Sequence, residues 1–540
     1  MVFFSSVVNL FILVCVVVLS KGEDVLVTVD QGTLRGITAT SVYNSSYTAF
    51  LGIPYAEPPL GVLRFQAPQP AGGWDGVRDA TQYGSDCVQD DGSGSEDCLY
   101  LNVYVPGVPQ EGADLPVMLW VYGGGFTVGS GSNEEYGPDF LVSYDVILVT
   151  INYRLGALGF LSTGDQVVPG NAGVKDQQLA MSWVQRNIAR FGGDPQQVTV
   201  FGQSAGGISV SFHLVSPTSA GLFSRLIIES GVFIRRLVPL AAARNHAFRL
   251  GAALGFETED SQQLLEFLRS VNATDLLVDR NLILTDEEKM LAVAGLWEPH
   301  IEPNLQGAFL AESPIRILNE GRFSQVPIII GTTSAEFGPY MVSQQELITN
   351  LNEAFDVAVG PCLHLPTAEE QTEAAWKLRG FYFGNDTISS NDPDPLVNFM
   401  NDISIFATTD DLVRKVTELS NLPAYYYVFD YGQPTSQSEW GVLHSGEMPF
   451  LFLRKDTEYN LDPESEEERV RRNMLILWTN FAKYGNPTPE ADPVVWEPYH
   501  LTNRAYLLMQ ANFSLAHDKL GERMDFWHEN VPLLPFPDTF

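Results

Sequence analysis

Gly202-Gln203-Ser204-Ala205-Gly206 sets a hydroxyl nucleophile between two glycines, where the apolar run Val198–Phe201 gives way to a stretch rich in small residues. A serine at such a strand-to-helix turn has the context of a nucleophile elbow. The turn is sharp enough that only glycine-sized neighbours let the chain pass beneath the serine. Its Oγ then faces outward, and the following helix N-terminus favours any negative charge that develops there. With glycine at 46 of 540 positions, the five-residue pattern alone arises by chance in roughly one such chain in four. The chemistry therefore requires companions, because a hydroxyl attacks a carbonyl only with a base, an acid to orient that base, and donors for the oxyanion. The run Val117–Val121 leads into Tyr122-Gly123-Gly124-Gly125-Phe126, whose glycines leave backbone N–H groups free to point into a cavity. Ile328-Ile329-Ile330 leads into Gly331-Thr332-Thr333-Ser334-Ala335-Glu336, which supplies a carboxylate. Trp440-Gly441-Val442-Leu443-His444-Ser445-Gly446-Glu447 supplies one of only 8 histidines on a glycine-bounded loop. Ser204, then Glu336, then His444 is an order in which serine acyl-transfer sites occur.

Something must hold these groups together. The strand candidates Val117–Val121, Val146–Ile151, Val198–Phe201, Ile328–Ile330 and Tyr425–Phe429 are short, β-branched or aromatic, and nearly continuous in apolar character. Between them, Leu179, Trp183, Val184 and Ile188 share one face of a helix predicted over Gln177–Ile188. Buried strands alternating with helices predict an α/β chain with a large, mostly parallel twisted sheet covered on both faces. In such sheets ligands bind at the carboxyl ends of the strands, where Ser204 falls.

The first residues, with Val7–Leu19 as an apolar core and small residues at Ser20 and Gly22, read as a secretory signal peptide over 1–22. The stretch before the apolar core lacks Lys and Arg, which leaves an uncleaved anchor as the alternative. No later apolar run is long enough to span a bilayer, so secretion and an extracellular location are expected, with no stable membrane insertion. Sequons at Asn44, Asn272, Asn385 and Asn512 are glycosylation candidates. Of 4 cysteines, Cys15 leaves with the leader. Cys87 and Cys98 flank a short polar loop and are expected to pair, stabilising the fold by roughly 3 kcal/mol. Cys362 is left over, either buried or available for an intermolecular bridge. A net charge of −35 makes nucleic acid and anionic membranes poor partners. The acidic run Glu464–Glu468 reads as a solvated helix start. No linker, repeat or low-complexity tract divides the chain, so residues 23–540 are expected to form one domain. No metal or other cofactor is implied.

Over nearly its whole mature length the chain resembles the type-B carboxylesterase/cholinesterase family. The matching segments are Leu63-Arg64-Phe65, Ser95–Asn102, Asn152-Tyr153-Arg154-Leu155-Gly156, Gly170–Gln177, Phe191–Pro195 and Phe201–Gly207. The resemblance implies an α/β-hydrolase fold, with Ser204 as nucleophile, His444 as general base and Glu336 as the acid that orients it. It implies oxyanion donors at Gly124, Gly125 and Ala205, ion pairs Arg64–Glu96 and Arg154–Asp176, and a supporting Ser230 near the acid. Tyr122 stands where many relatives have histidine. A second family disulfide would fall at Phe256 and Phe267, where a hydrophobic contact is expected instead. In cholinesterases the first disulfide loop carries a tryptophan that binds quaternary ammonium. Here the residues between Cys87 and Cys98 are VQDDGSGSED, with no aromatic side chain. Small-molecule carboxyl esters, and not choline esters, are the expected substrates. By family analogy Val293–Trp297 lines an acyl pocket, and its small residues leave room for a bulky acyl group. Gln203, where many relatives have glutamate, is similar to juvenile-hormone esterases of insects. The rival reading is a non-catalytic, neuroligin-like adhesion or binding protein on the same fold. Oligomeric state is left open.

Overall fold

The computed structural model describes residues 25–293, 295–455, 457–490 and 494–535. The expected leader over 1–22, with Cys15, and the C-terminal Phe536–Phe540 lie outside the described residues. The strands are β1 (Val25–Val29), β2 (Gly32–Thr40), β3 (Ser46–Pro54), β4 (Val77–Asp79), β5 (Tyr100–Pro106), β6 (Leu115–Val121), β7 (Ile147–Ile151) and β8 (Gly193–Gln203). They continue with β9 (Arg225–Glu229), β10 (Ile328–Thr333), β11 (Ala424–Phe429), β12 (Gln437–Ser438), β13 (Gly441–Val442), β14 (Ala505–Met509) and β15 (Phe513–His517).

Thirteen strands form one sheet in the order β1-β2-β3-β5-β7-β6-β8-β9-β10-β11-β14-β15, with β4 beside β2. The run from β7 through β14 is parallel throughout. Five of its strands, β6, β7, β8, β10 and β11, are apolar runs read from the sequence, while β9 and β14 were not among them; Pro116 through Val121 of β6 and all of β7, β10 and β11 are buried. Continuous burial on both faces is what helices on either side of a parallel sheet impose. The two ends of the sheet are antiparallel, β1-β2-β3-β5-β7 on one side and β14-β15 on the other. The N-terminal meander was not among the expected strands. β1 and β2 are half-exposed and carry Thr and Gly, so they lack the apolar density that marked the central strands.

The helix predicted from Gln177 begins five residues earlier, spanning Ala172–Asn187. Its first turns hold Lys175, Asp176 and Gln177, which interrupt the apolar stripe in sequence yet are buried. Pairing makes that burial tolerable. Arg154 Nη2 donates to Asp176 Oδ1 at 2.6 Å, Lys175 Nζ to Glu302 Oε2 at 2.5 Å, and Gln177 Nε2 to Ser209 Oγ at 3.1 Å. The helix Ala205–Val215, which follows β8, is buried on every side, as expected of a helix apolar all round.

Cys87 and Cys98 are bonded, and Cys362 is buried with a free thiol. The rings of Phe256 and Phe267 stack at 4.5 Å, the contact expected where relatives have a disulfide. Arg64 Nε donates to Glu96 Oε1 at 2.6 Å. One expectation needs correcting. The helix Glu466–Tyr484 does start in the acidic run, capped by Ser465, but Glu468 is not solvated. It is buried, ion-paired with Arg471, and accepts a hydrogen bond from Tyr43 Oη at 2.8 Å.

Candidate active site

Ser204 follows β8 directly with φ 58° and ψ −124°, and the helix Ala205–Val215 starts at the next residue. A non-glycine residue there is strained, and strain of this kind persists only where the surroundings over-determine it. The surroundings are tight. Ser204 donates its amide to Glu229 O at 2.9 Å, and its carbonyl accepts from Ile208 N at 2.8 Å. A Cβ on Gly206 would sit 2.0 Å from Val121 O, so no other residue fits beneath the turn.

The β6 end delivers Gly123-Gly124-Gly125 to the same place. Gly124 has φ 103°, and a Cβ there would meet Val128 O at 2.2 Å. Among the described residues neither Gly124 nor Gly125 donates its amide to another backbone group. Ala205 occupies the first turn of its helix, where amides have no intrahelical acceptor. Gly124, Gly125, Ser204, Ala205 and His444 all border one cavity of about 710 Å³. Tyr122 points the other way. Its ring stacks on Tyr153 at 4.4 Å and its Oη donates to Tyr153 O at 3.0 Å, inside the core.

Glu336 and His444 arrive from the next strands. Glu336 follows β10 with φ 37°, and its Oε1 accepts from Thr333 N at 2.8 Å and Ser230 Oγ at 2.7 Å. The β12–β13 hairpin leads to His444, which donates its amide to Glu336 O at 3.3 Å. Nδ1 of His444 and Glu336 Oε2 lie 2.5 Å apart. Burial alone would push the Glu336 carboxyl up. His444, Ser230 and the Thr333 amide outweigh it and hold the carboxyl below its usual range. An ionised Glu336 requires the proton on Nδ1, which leaves the Nε2 lone pair facing the cavity.

That lone pair meets Gln203, whose Nε2 lies 3.2 Å from His444 Nε2. An amide N–H directed at an imidazole lone pair is a sound donor–acceptor pair, so Gln203 covers the atom that would take a proton from Ser204. The centres of the Phe337 and His444 rings lie 4.0 Å apart. Neither contact was legible in the sequence, because both depend on how loops far apart in the chain meet. A π-helical stretch, Asp402–Phe406, closes the cavity with Ser404 and Ile405. Such stretches are frequent at functional sites.

A second cavity of about 510 Å³ adjoins the first and shares Gly125, Arg236 and Arg280 with it. Val88 and Asp90 of the disulfide loop line it, as do Gly295, Leu296 and Trp297. The expected acyl segment is therefore divided. Val293 borders the first cavity, Gly295–Trp297 border the second, and Ala294 lies outside the described residues. Among the described residues, no group of three or more His, Cys, Asp or Glu side chains is placed to hold a metal ion. No helix among them is long and apolar enough to cross a membrane. Asn44, Asn272, Asn385 and Asn512 are all exposed.

Residues 23–527 match the Carboxylesterase family. Among similar proteins, a cholinesterase of Mus musculus is 34% identical over 94% of this chain and 87% of its own. Carboxylesterase 5A of Homo sapiens is 34% identical over 90% of this chain and 85% of its own. A juvenile hormone esterase of Tribolium castaneum is 33% identical over 95% of each.

Proposed function

Because the chain belongs to the carboxylesterase family, a family of carboxylic ester hydrolases, we propose that Ser204, His444 and Glu336 carry its ester hydrolysis through an acyl-enzyme. The observation that carries this reading is the pair of His444 Nδ1 and Glu336 Oε2 at 2.5 Å, set on the same cavity as the strained Ser204. Substrate displaces the Gln203 amide from His444 Nε2, and the lone pair takes the Ser204 proton as Oγ bonds to the ester carbonyl carbon. Catalytic hydrogen bonds of this kind often form only with substrate present. The amides of Gly124, Gly125 and Ala205 bind the oxyanion, where one donor is worth roughly 3–4 kcal/mol in the transition state. His444 then gives its proton to the departing alcohol. Water loses a proton to His444 as it bonds to the acyl carbon, the bond to Ser204 Oγ breaks as His444 returns the proton to Oγ, and Glu336 stabilises the imidazolium in both halves.

The substrates are general or hydrophobic carboxyl esters. The two cavities meet at Gly125, beside the proposed oxyanion position, which suits an ester with an arm on each side of its carbonyl. The disulfide loop brings no aromatic side chain to that space, so the ring that this loop supplies to quaternary ammonium in cholinesterases is missing. A juvenile-hormone-type ester is the narrower reading, supported by Gln203 and by similarity to the Tribolium castaneum enzyme. The leader and the four exposed sequons support secretion of a glycosylated single domain over 23–540. The test is Ser204→Ala. The variant folds with an unchanged circular dichroism spectrum and loses hydrolysis of p-nitrophenyl esters; turnover at a tenth of the parent rate or more would overturn the mechanism.

A further inference from the structure

Beneath the His444–Glu336 pair lies a set of buried polar groups that the proposed chemistry does not use. Glu229 closes β9, Glu447 lies three residues beyond His444, and Tyr427 belongs to β11; none is exposed. Trp478 Nε1 donates to Glu229 Oε1 at 2.7 Å. Glu229 Oε2, both carboxyl oxygens of Glu447, and Tyr427 Oη have no hydrogen-bond partner among the described residues. The groups that face the two carboxyls are acidic, phenolic or neutral. Glu447 lies near Glu229, Glu336, Ser230 and its own backbone amide, while Glu229 lies near Glu447, Trp478, Tyr427 and Tyr136. Lys519 donates to Thr332 Oγ1 at 2.5 Å and lies near Glu336, on the loop before the helix Gly521–Asn530.

A buried carboxylate with no cation to pair with, and at most one donor for its two oxygens, is not sustained as an anion; it takes up a proton instead. Two such groups facing each other repel as well. Ser230 adds a constraint of its own. Its single hydroxyl proton goes to Glu336 Oε1 at 2.7 Å, so toward Glu447, which lies beside it short of a well-formed hydrogen bond, it presents only lone pairs. A carboxylate has nothing to donate to a lone pair, whereas a carboxylic acid does.

We propose that Glu229 and Glu447 form a buried, protonated carboxyl pair, and that Glu447 is a positioning residue whose acid proton is directed at Ser230, which in turn holds Glu336. The chain runs Glu447–OH to Ser230–OH to the Glu336 carboxylate to His444. It leaves Glu336 as the only negative charge under the imidazole. Burial and the neighbouring Glu336 push the Glu447 carboxyl up to about 8, in agreement with that assignment. Deprotonation of Glu447 sets a second negative charge against Glu336 and turns Ser230 between two acceptors, which misplaces His444.

The kinetic arm of the test rests on the proposed triad, whereas the spectroscopic arm does not. Infrared difference spectra of the wild-type protein between pH 6 and pH 10 are expected to show loss of a C=O stretch from a protonated carboxyl. That band is missing at pH 6 in Glu447→Gln, and a companion band is missing in Glu229→Gln. In the same series kcat/KM of the wild type declines above about pH 8, and the decline is absent in Glu447→Gln, whose amide carries no titrating proton. No bleached band in the wild type, which needs no variant to fold, overturns the proposal. Bands unchanged in both variants overturn it too. A band lost with an unaltered alkaline decline overturns the positioning role. An inactive protein that keeps the bands would count against the triad, not against the protonated pair.

Discussion

At the scale of single residues, the unexpected contact is Gln203 against His444 Nε2. An amide there is neutral, and glutamate would add a negative charge beside the imidazole, favouring its protonated form. Gln203→Glu is therefore expected to move the acid limb of the kcat/KM profile to higher pH, because more of the base is spent as imidazolium; an unmoved or lowered limb would separate Gln203 from the chemistry. Glu336→Gln removes the charge that stabilises imidazolium and the acceptor that fixes its tautomer. Its kcat is expected to fall by roughly 10³–10⁴, measured on p-nitrophenyl butyrate with the fold checked by circular dichroism. Ser204, Glu336 and His444 were readable in the sequence because each sits on a glycine-bearing turn near a strand end. Gln203 was noticed only as a departure from relatives. Its partner lies 241 residues away, and no local pattern announces such a pairing. Glu229 left a faint signal as the one charge closing the apolar run Leu226-Ile227-Ile228, yet its meeting with Glu447 depends on the packing of β9 under a distant loop.

At the scale of elements, the β8 turn and the disulfide loop carry the testable geometry. Gly206→Ala would drive a methyl into Val121 O, a backbone atom that cannot swing aside. The cost is expected to be about 3 kcal/mol, read as a lowered urea midpoint, with activity lost along with the turn. Replacing Cys87 and Cys98 together by serine is expected to cost roughly 3 kcal/mol in a thermal melt. Because Val88 and Asp90 line the second cavity, the same change should raise KM for bulky acyl esters more than for acetate esters; an equal rise for both would take the loop out of substrate binding. The central parallel strands were legible because burial on both faces leaves a continuous apolar run. The start of the helix Ala172–Asn187 was not, since its first turns bury charged residues whose partners Arg154 and Glu302 come from elsewhere. The outermost strands β1, β2 and β15 escaped for the opposite reason, being too exposed to stand out.

At the scale of the whole molecule, a net charge of −35 acts against the compact state through self-repulsion, and salt screens it. The melting temperature is expected to rise between low salt and 0.3 M NaCl (about a 6 Å screening length); a fall would mean that ion pairs outweigh repulsion. The buried carboxyls act on stability in opposite directions. Glu447 holds its proton to about 8 in the folded state, against 4.5 for an ordinary glutamate. Its contribution is full below 4.5 and is lost progressively as pH rises through about 8. Glu336 is held low, so its contribution is present above the ordinary glutamate range and is lost as pH falls through its folded value. Urea midpoints of Glu447→Gln should accordingly decline less than those of the parent between pH 5 and pH 9. The sheet, the glycine loops and three strand-end residues together make an esterase reading, and its central claim is that Ser204 is the nucleophile. Peptide mapping of the protein inactivated by a fluorophosphonate tests it most directly. One adduct per chain, on the peptide carrying Ser204 and rising in step with loss of esterase activity, is the expected result. Complete inactivation with the adduct on another residue, or with Ser204 unmodified, would contradict it.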